Sequence, residues 1–358
     1  MSKALPTMER RGEVESLARA AWGTDCRLVE AFALAGDASS RRYYRLRFEG
    51  SSPRTAVLLL QSDAGLALSS EELAVFREPL REMPFLNVQR YLRSVGISVP
   101  EVYASAPESG LVLLEDLGDV TLWEAARAAT PTGLLDLYRS AIDEMVSLQI
   151  AGEERRDERC IAFQQRFDGR LFLWEFDHFL EYGFSGRALR GEDRTDLRRI
   201  FEDLAADLGG EPPVLAHRDY HSWNLFVQAG RIRVIDFQDA LLAPPAYDLA
   251  SLLTDRATPT LVGPELEVEL TRHYCRVSAE RTGRGLDEAK LRGRYFLMVL
   301  QRALKVVGRF HYLEEVKGKR GYRAMLPDTI RTVRRALENL PELGRLRSIL
   351  VRSFPELA

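Results

Sequence analysis

Cysteine is scarce: Cys26, Cys160 and Cys275 are the only three in 358 residues, far apart and without a CxxC pair. Such spacing indicates neither a disulfide framework nor a zinc site, and it fits a reducing cytoplasm. A dominant charge is also missing. Fifty Lys and Arg stand against 53 Asp and Glu, a net charge of −3, so no general affinity for nucleic acid or anionic membrane is expected. No apolar run approaches the roughly 18 residues of a membrane span. The opening stretch MSKALPTMERRGEVE has no apolar core, so no secretory signal is expected there. Repeats and low-complexity tracts are absent. What the chain does have is 46% hydrophobic residues, enough to bury a sizeable core in two modest domains or one bilobal unit.

Local patterns divide the chain near Glu115–Gly118. Before that point, Val14–Trp22 reads as a short amphipathic helix. RRYYRLRF alternates, with Tyr44, Leu46 and Phe48 on one face, as in a half-buried strand. TAVLLLQ is a neighbouring strand across the turn-like EGSSPR, which together make a hairpin. SSEELAVFREPLR spaces Leu73, Phe76 and Leu80 as a helix does. FLNVQRYLRSVG does the same with Phe85, Val88, Tyr91, Leu92 and Val95, and Gly96 is placed to stop it. GLVLLEDLG is a buried strand. After Gly118 the text turns helical, at Leu134–Leu148, Leu171–Tyr182, Leu197–Leu208, Leu266–Arg281 and Gly293–Arg309. Two short strands, Leu225–Val227 and Ile232–Ile235, interrupt it. The expectation is an α+β protein, with a small antiparallel-sheet lobe over 1–117 and a mainly helical lobe over 118–358.

The chemistry concentrates at LAHRDYHSWNLFVQAGRIRVIDFQDA. His217, Arg218, Asp219 and Asn224 spell HRDxxxxN, and Asp236 follows twelve residues after Asn224 at the head of DFQ. Phosphoryl transfer needs a carboxylate that orients an acceptor hydroxyl and takes its proton, a role for Asp219. It also needs a divalent cation against the phosphates. Magnesium takes oxygen ligands and keeps several waters, so Asn224 and Asp236 suffice as its protein ligands. His217 and His221 have helical spacing, but Asp219 between them belongs to a loop motif, so a metalloprotease reading is poor.

The chain resembles the aminoglycoside phosphotransferase-like branch of the protein-kinase-like fold. Within it, the chain is most similar to the anomeric N-acetylmuramate/N-acetylglucosamine kinases of cell-wall recycling. The resemblance rests on GDASSRRYYRL (36–46), LVLLEDLGDVTL (111–122), HRDYHSWNLFV (217–227), VIDFQDALLAPPAYDLASLLTD (234–255) and LKVVGRFHYLEEVKGKRGYRAMLP (304–327). It implies an ATP- and Mg2+-dependent cytoplasmic kinase acting on a small amino sugar, with no nucleic-acid or membrane partner. The loop over the ATP phosphates would include Gly36, Asp37, Ser39, Ser40, Arg41 and Arg42. The backbone of Glu115 and Leu117 would meet adenine. His217 and Asp248 would support the catalytic loop, though Asp248 also reads as a plain first-turn acid. Glu175, Arg218, His221, Trp223 and Asp239 are the acceptor-site candidates.

Two departures from the pattern matter. The strand TAVLLLQSD lacks the Lys that most kinases of this fold carry, as the anomeric-kinase group also does. Arg41 and Arg42 are candidates to neutralise phosphate in its place, or else solvent-facing charges at a strand start. Where that group usually has an Arg, this chain has Trp223, which either stacks on a sugar or belongs to the core. Alternatives are a choline or aminoglycoside kinase, whose cationic acceptors call for acids, and a nucleotide-binding module without turnover.

Overall fold

The structure is a computed structural model and describes residues 10–34, 41–61, 82–255 and 258–358. Gly36, Asp37, Ser39 and Ser40 lie outside the described residues, as does the helical pattern at Leu73, Phe76 and Leu80. The chain forms two compact units. Of the described residues, one unit contains those up to Val120 and then Phe226–Asp239, and the other those of 121–225 and 240–358. The segment 226–239 is thus grouped with the first unit, although a linear division at 117/118 assigns it to the second.

The first unit is built on a five-stranded antiparallel sheet. Its strands are β1 (Arg27–Ala33), β2 (Arg41–Glu49), β3 (Thr55–Gln61), β4 (Val102–Ala106) and β5 (Leu111–Leu114), in the order β1-β2-β3-β5-β4. The alternation in β2 decides the packing, since residues two apart share a face. Tyr44, Leu46 and Phe48 are buried, and Tyr44 and Leu46 pair in register with Leu58 and Ala56. Helix α1 (Arg11–Trp22) closes this face with Val14, Leu17 and Ala18. Its Trp22 meets Phe48 edge-on at 5.1 Å. Helix α2 (Pro84–Ser94) buries Phe85, Val88, Tyr91 and Leu92, as its spacing predicts. Phe85 packs on Phe237, with ring centroids 5.0 Å apart, and so supports the turn that follows Asp236.

The second unit is mostly helical. In chain order its helices are α3 (Leu122–Ala128), α4 (Pro131–Glu154), α5 (Gly169–Tyr182), α6 (Gly191–Gly210), α7 (Ala246–Thr254), α8 (Pro264–Thr282), α9 (Glu288–Glu315), α10 (Leu326–Glu338) and α11 (Gly344–Ser353). The short strands β6 (Val214–Ala216) and β9 (Leu241–Ala243) pair antiparallel here. Between them in sequence, β7 (Leu225–Gln228) and β8 (Arg231–Val234) form a separate hairpin. The long α9 packs against α5, α7 and α10. Gly308 permits the first of these contacts, because a Cβ there would come within 2.9 Å of the Phe179 Cα on α5. Among the described residues no helix is long and apolar enough to cross a membrane.

Candidate active site

In the second unit the catalytic-loop motif begins where β6 ends. β6 is apolar and paired to β9, so its end is a fixed point. The loop after it turns through Arg218 at φ 79, a left-handed conformation that residues other than glycine rarely adopt. Its neighbours hold that conformation. The Asp248 carboxylate, in the first turn of α7, accepts the backbone N–H of His217 at 2.6 Å and of Arg218 at 3.0 Å. Burial raises the Asp248 carboxyl, against the pull of His217, the Arg218 N–H and Arg302. Tyr220 anchors the loop to α4, donating its hydroxyl to the Ala141 carbonyl at 2.8 Å. A tight turn then carries the chain onward, with His221 N–H on the Asp219 carbonyl and Asn224 N–H on the His221 carbonyl, each at 2.9 Å.

These contacts put Asp219 in a cationic setting. Burial pushes its carboxyl up, but Arg218, Arg302, His221 and Lys305 outweigh that and hold it well below the usual carboxylate range. The Asn224 amide nitrogen donates to the Asp219 carbonyl at 3.0 Å, so the amide oxygen is the atom left for a cation. His217 is buried, and its ring lies edge-on to Tyr220 at 5.6 Å. His221 is also buried, with Nε2 3.6 Å from an Asp255 oxygen. Trp223 is half-buried and stacks on Trp123 of α3, centroids 4.6 Å apart at 22°.

Glu175 is neither an exposed helix charge nor an open acid. It is 0% exposed, pairs with Lys305, and accepts the Gln301 amide at 2.6 Å. Arg302 donates to the Ser251 hydroxyl at 2.9 Å and to the Arg218 carbonyl at 3.3 Å, and its guanidinium lies 4.7 Å from the Tyr247 ring centre. Lys305 and Arg302 were not singled out from sequence. The available signal was two cations in the mainly apolar run YFLMVLQRALKVVG of α9.

In the first unit Asp236 adopts φ 62, another left-handed position. Its Oδ1 accepts the Gln238 amide at 3.0 Å and lies 3.3 Å from Arg41 Nη1. Arg41 is buried, whereas Arg42 is exposed. Burial pulls the Arg41 guanidinium down, while Tyr43, Asp236 and Asp239 lift it to a net rise. The Tyr43 hydroxyl is pushed up to about 12 by burial, with Arg41 opposing. Asp239 is buried in this same turn beside Gln238. It is therefore grouped with Arg41 and Asp236, while Glu175, Arg218, His221 and Trp223 belong to the second unit.

The strand end at Glu115–Leu117 is braced from two sides. Arg233 donates to the Glu115 carboxylate at 3.0 Å, and Arg45 donates to Asp116, Asp119 and the Gly118 carbonyl at 2.8 to 2.9 Å. The Leu117 N–H finds no acceptor among the described residues. Among the described residues no three His, Cys, Asp or Glu side chains gather as a metal cluster. The Asn224 amide oxygen in the second unit and the Asp236 carboxylate in the first are each of the hard-oxygen type that magnesium takes.

An α+β fold with a five-stranded antiparallel sheet and a helical second unit, carrying HRDxxxxN and DFQ motifs, is that of a small-molecule phosphotransferase. Residues 32–289 match the phosphotransferase enzyme family, and the chain belongs to it. An N-acetylmuramate/N-acetylglucosamine kinase of Neisseria meningitidis serogroup B is 31% identical over 88% of both chains. Three further relatives, 28 to 29% identical, carry the same name. Among solved structures, a choline/ethanolamine kinase family protein from Mesorhizobium loti superposes with TM-score 0.60 at 16% identity, covering 97% of this chain and 99% of its own. An amicoumacin kinase in complex with AMP-PNP, Ca2+ and its ligand gives TM-score 0.57 at 18% identity, over 90% and 93%. These last two likenesses are of fold.

Proposed function

We propose that this chain is an ATP- and magnesium-dependent cytoplasmic kinase that phosphorylates the anomeric hydroxyl of N-acetylmuramic acid, N-acetylglucosamine or both. The observation that carries the reading is the cationic setting of Asp219. Arg218, Arg302, His221 and Lys305 all act on it, and the Glu175 acid in this unit is already engaged. Such a setting favours a neutral or anionic acceptor over choline or an aminoglycoside, and it agrees with the names of the relatives.

In this reading Asp219 orients the acceptor hydroxyl and receives its proton. The acceptor oxygen bonds to the γ-phosphorus as the bond to the ADP oxygen breaks. The anomeric hydroxyl is more acidic than an ordinary alcohol, so a carboxylate held at low basicity is adequate to it. Asn224 and Asp236 offer the two protein oxygens to magnesium, which when bound neutralises charge on the phosphates. Arg41 adds a cation where the strand has no Lys. The Leu117 N–H, which has no acceptor among the described residues, supports a role for Glu115–Leu117 in meeting the adenine edge.

The product decides the question. ATP, magnesium and either sugar should give a non-reducing, acid-labile phosphate whose NMR spectrum couples phosphorus to C1. A stable, reducing 6-phosphate would remove the anomeric assignment and leave a kinase. Turnover of choline or an aminoglycoside, with none of either sugar, would overturn the sugar reading.

A further inference from the structure

The residue before the base is held on both sides, and both holds trace to one helix. Asp248 takes the Arg218 N–H at 3.0 Å. Arg302 Nη1 donates to the Arg218 carbonyl at 3.3 Å, while its Nη2 donates to the Ser251 hydroxyl at 2.9 Å. Asp248 and Ser251 are three residues apart on α7, hence on one face of that helix. The two holds act on the two peptide planes that flank the Arg218 Cα. The plane containing the Arg218 N–H is fixed by Asp248. The next plane contains the Arg218 carbonyl and the Asp219 N–H, because a peptide unit is planar. Holding both planes fixes φ and ψ at Arg218, and with them the position of the Asp219 Cα and the N–Cα axis about which its Cα–Cβ bond can turn.

That control has something to oppose. Arg218 sits at φ 79, and a rotation of the second plane would relieve the left-handed strain while turning Asp219 away. Asp248 alone cannot prevent this, since it touches only the first plane. Arg302 is suited to the second. Its hydrogen-bond partners are two neutral oxygens, its face lies against Tyr247, and it forms no ion pair with a carboxylate among the described residues. A guanidinium also remains charged and keeps its planar fork at any working pH.

We propose that Arg302 is a positioning residue for the reaction, acting through the Arg218 carbonyl to hold Asp219 in its productive orientation. This rests on the reading of Asp219 as the base. Three variants test it: Arg302→Met removes both hydrogen bonds, Arg302→Lys keeps one charged donor, and Ser251→Ala loosens the anchor. Each is assayed with N-acetylglucosamine, N-acetylmuramic acid, ATP and magnesium. Each is also followed without substrate by hydrogen exchange of the amides in residues 217–224.

Arg302→Met is expected to lower kcat by roughly ten- to a hundredfold, the scale of a misplaced reacting group, with the KM for ATP unmoved. Arg302→Lys should recover part of that loss. Ser251→Ala should fall in the same direction by less, and the Ser251→Ala/Arg302→Met double variant should be no worse than Arg302→Met alone. The 217–224 amides should exchange faster in Arg302→Met, while those of α4 and α5 keep their protection.

A full kcat in Arg302→Met overturns the proposal. So does a loss matched by faster exchange throughout α4, α5 and α9 with Ser251→Ala inert, which would mark Arg302 as part of the general core. If the wild-type chain phosphorylates neither sugar, the functional reading fails by itself. The exchange of 217–224 then decides on Arg302: unchanged rates refute the hold, and locally faster rates support it.

Discussion

Arg41 Nη1 lies 3.3 Å from Asp236 Oδ1, and Arg41 is buried while its neighbour Arg42 is exposed. The two arginines, equivalent in the sequence motif, are therefore not equivalent in the fold. Arg41→Ala should raise the KM for ATP by roughly ten- to a hundredfold, since a hydrogen bond to a charged group contributes about 1.5–3 kcal/mol. The sugar KM should move far less. Arg42→Ala should stay within about twofold, as surface substitutions usually do. Equal effects of the two on ATP binding would contradict the assignment.

Asp219→Asn keeps the size of the side chain and removes the proton acceptor. Turnover should fall by about 10²–10⁴-fold, the usual weight of a general base. ATP should still bind, which a fluorescent nucleotide titration would check. Near-normal turnover in a preparation free of host kinases would end the case for Asp219 as the base.

Magnesium dependence separates the two proposed ligands from the rest of the site. Asn224→Ala and Asp236→Ala should each shift the magnesium titration of turnover to higher concentration. More metal should partly rescue Asn224→Ala, because water can replace one neutral oxygen ligand. Asp236→Ala removes a charged ligand and also leaves Arg41 and Gln238 without their shared acceptor, so its rescue should be poorer. Two titration curves that overlay the wild type would count against ligation.

The catalytic motif was legible because its information is local. Asp219, Asn224 and Asp236 fall within one stretch whose flanking strands are short and apolar. The central strands β2, β3 and β5 were equally plain. The edge strands β1 and β4 were not: among the seven residues of β1 only Leu28 is buried, and no residue of β4 is. An edge strand faces less core and so carries little alternation. Helix α10 was missed although Ile330, Val333 and Leu337 are buried at helical spacing. The supporting cations Arg302 and Lys305 lie more than 80 residues from Asp219 in sequence, and no single-sequence pattern links them to it. Asp239 and Glu175, read together as acceptor acids, fall in different units.

The Lys305–Glu175 pair allows a stability prediction. Glu175 is 0% exposed, so its charge depends on Lys305 and the Gln301 amide. Lys305→Met should destabilise the fold by about 3–5 kcal/mol, the cost of leaving a buried charge unpaired. Adding Glu175→Gln to Lys305→Met should recover most of it, since no charge is then stranded. Urea unfolding of the single and double variants measures both. A double variant no more stable than Lys305→Met would show that packing, rather than charge, dominates this contact.

Trp223 gives the sharpest test of acceptor recognition. Its ring stacks on Trp123 at 4.6 Å, both residues are half-buried, and the Trp123 backbone N–H donates to the Ser222 carbonyl at 3.2 Å. The stack thus orients the indole from one side, directly before Asn224 in the chain. If the indole meets a sugar ring, Trp223→Ala should raise the sugar KM and leave the ATP KM unchanged. An aromatic contact contributes about 0.5–1.5 kcal/mol beyond buried area, roughly a two- to twelvefold change in KM. Trp123→Ala should act in the same direction and more weakly, because it removes the support and leaves the platform. If Trp223 instead belongs only to the core, both variants should lower the unfolding midpoint together and leave the sugar KM where it was. Steady-state kinetics with varied sugar at saturating ATP, set beside thermal unfolding of the same preparations, separates the two outcomes.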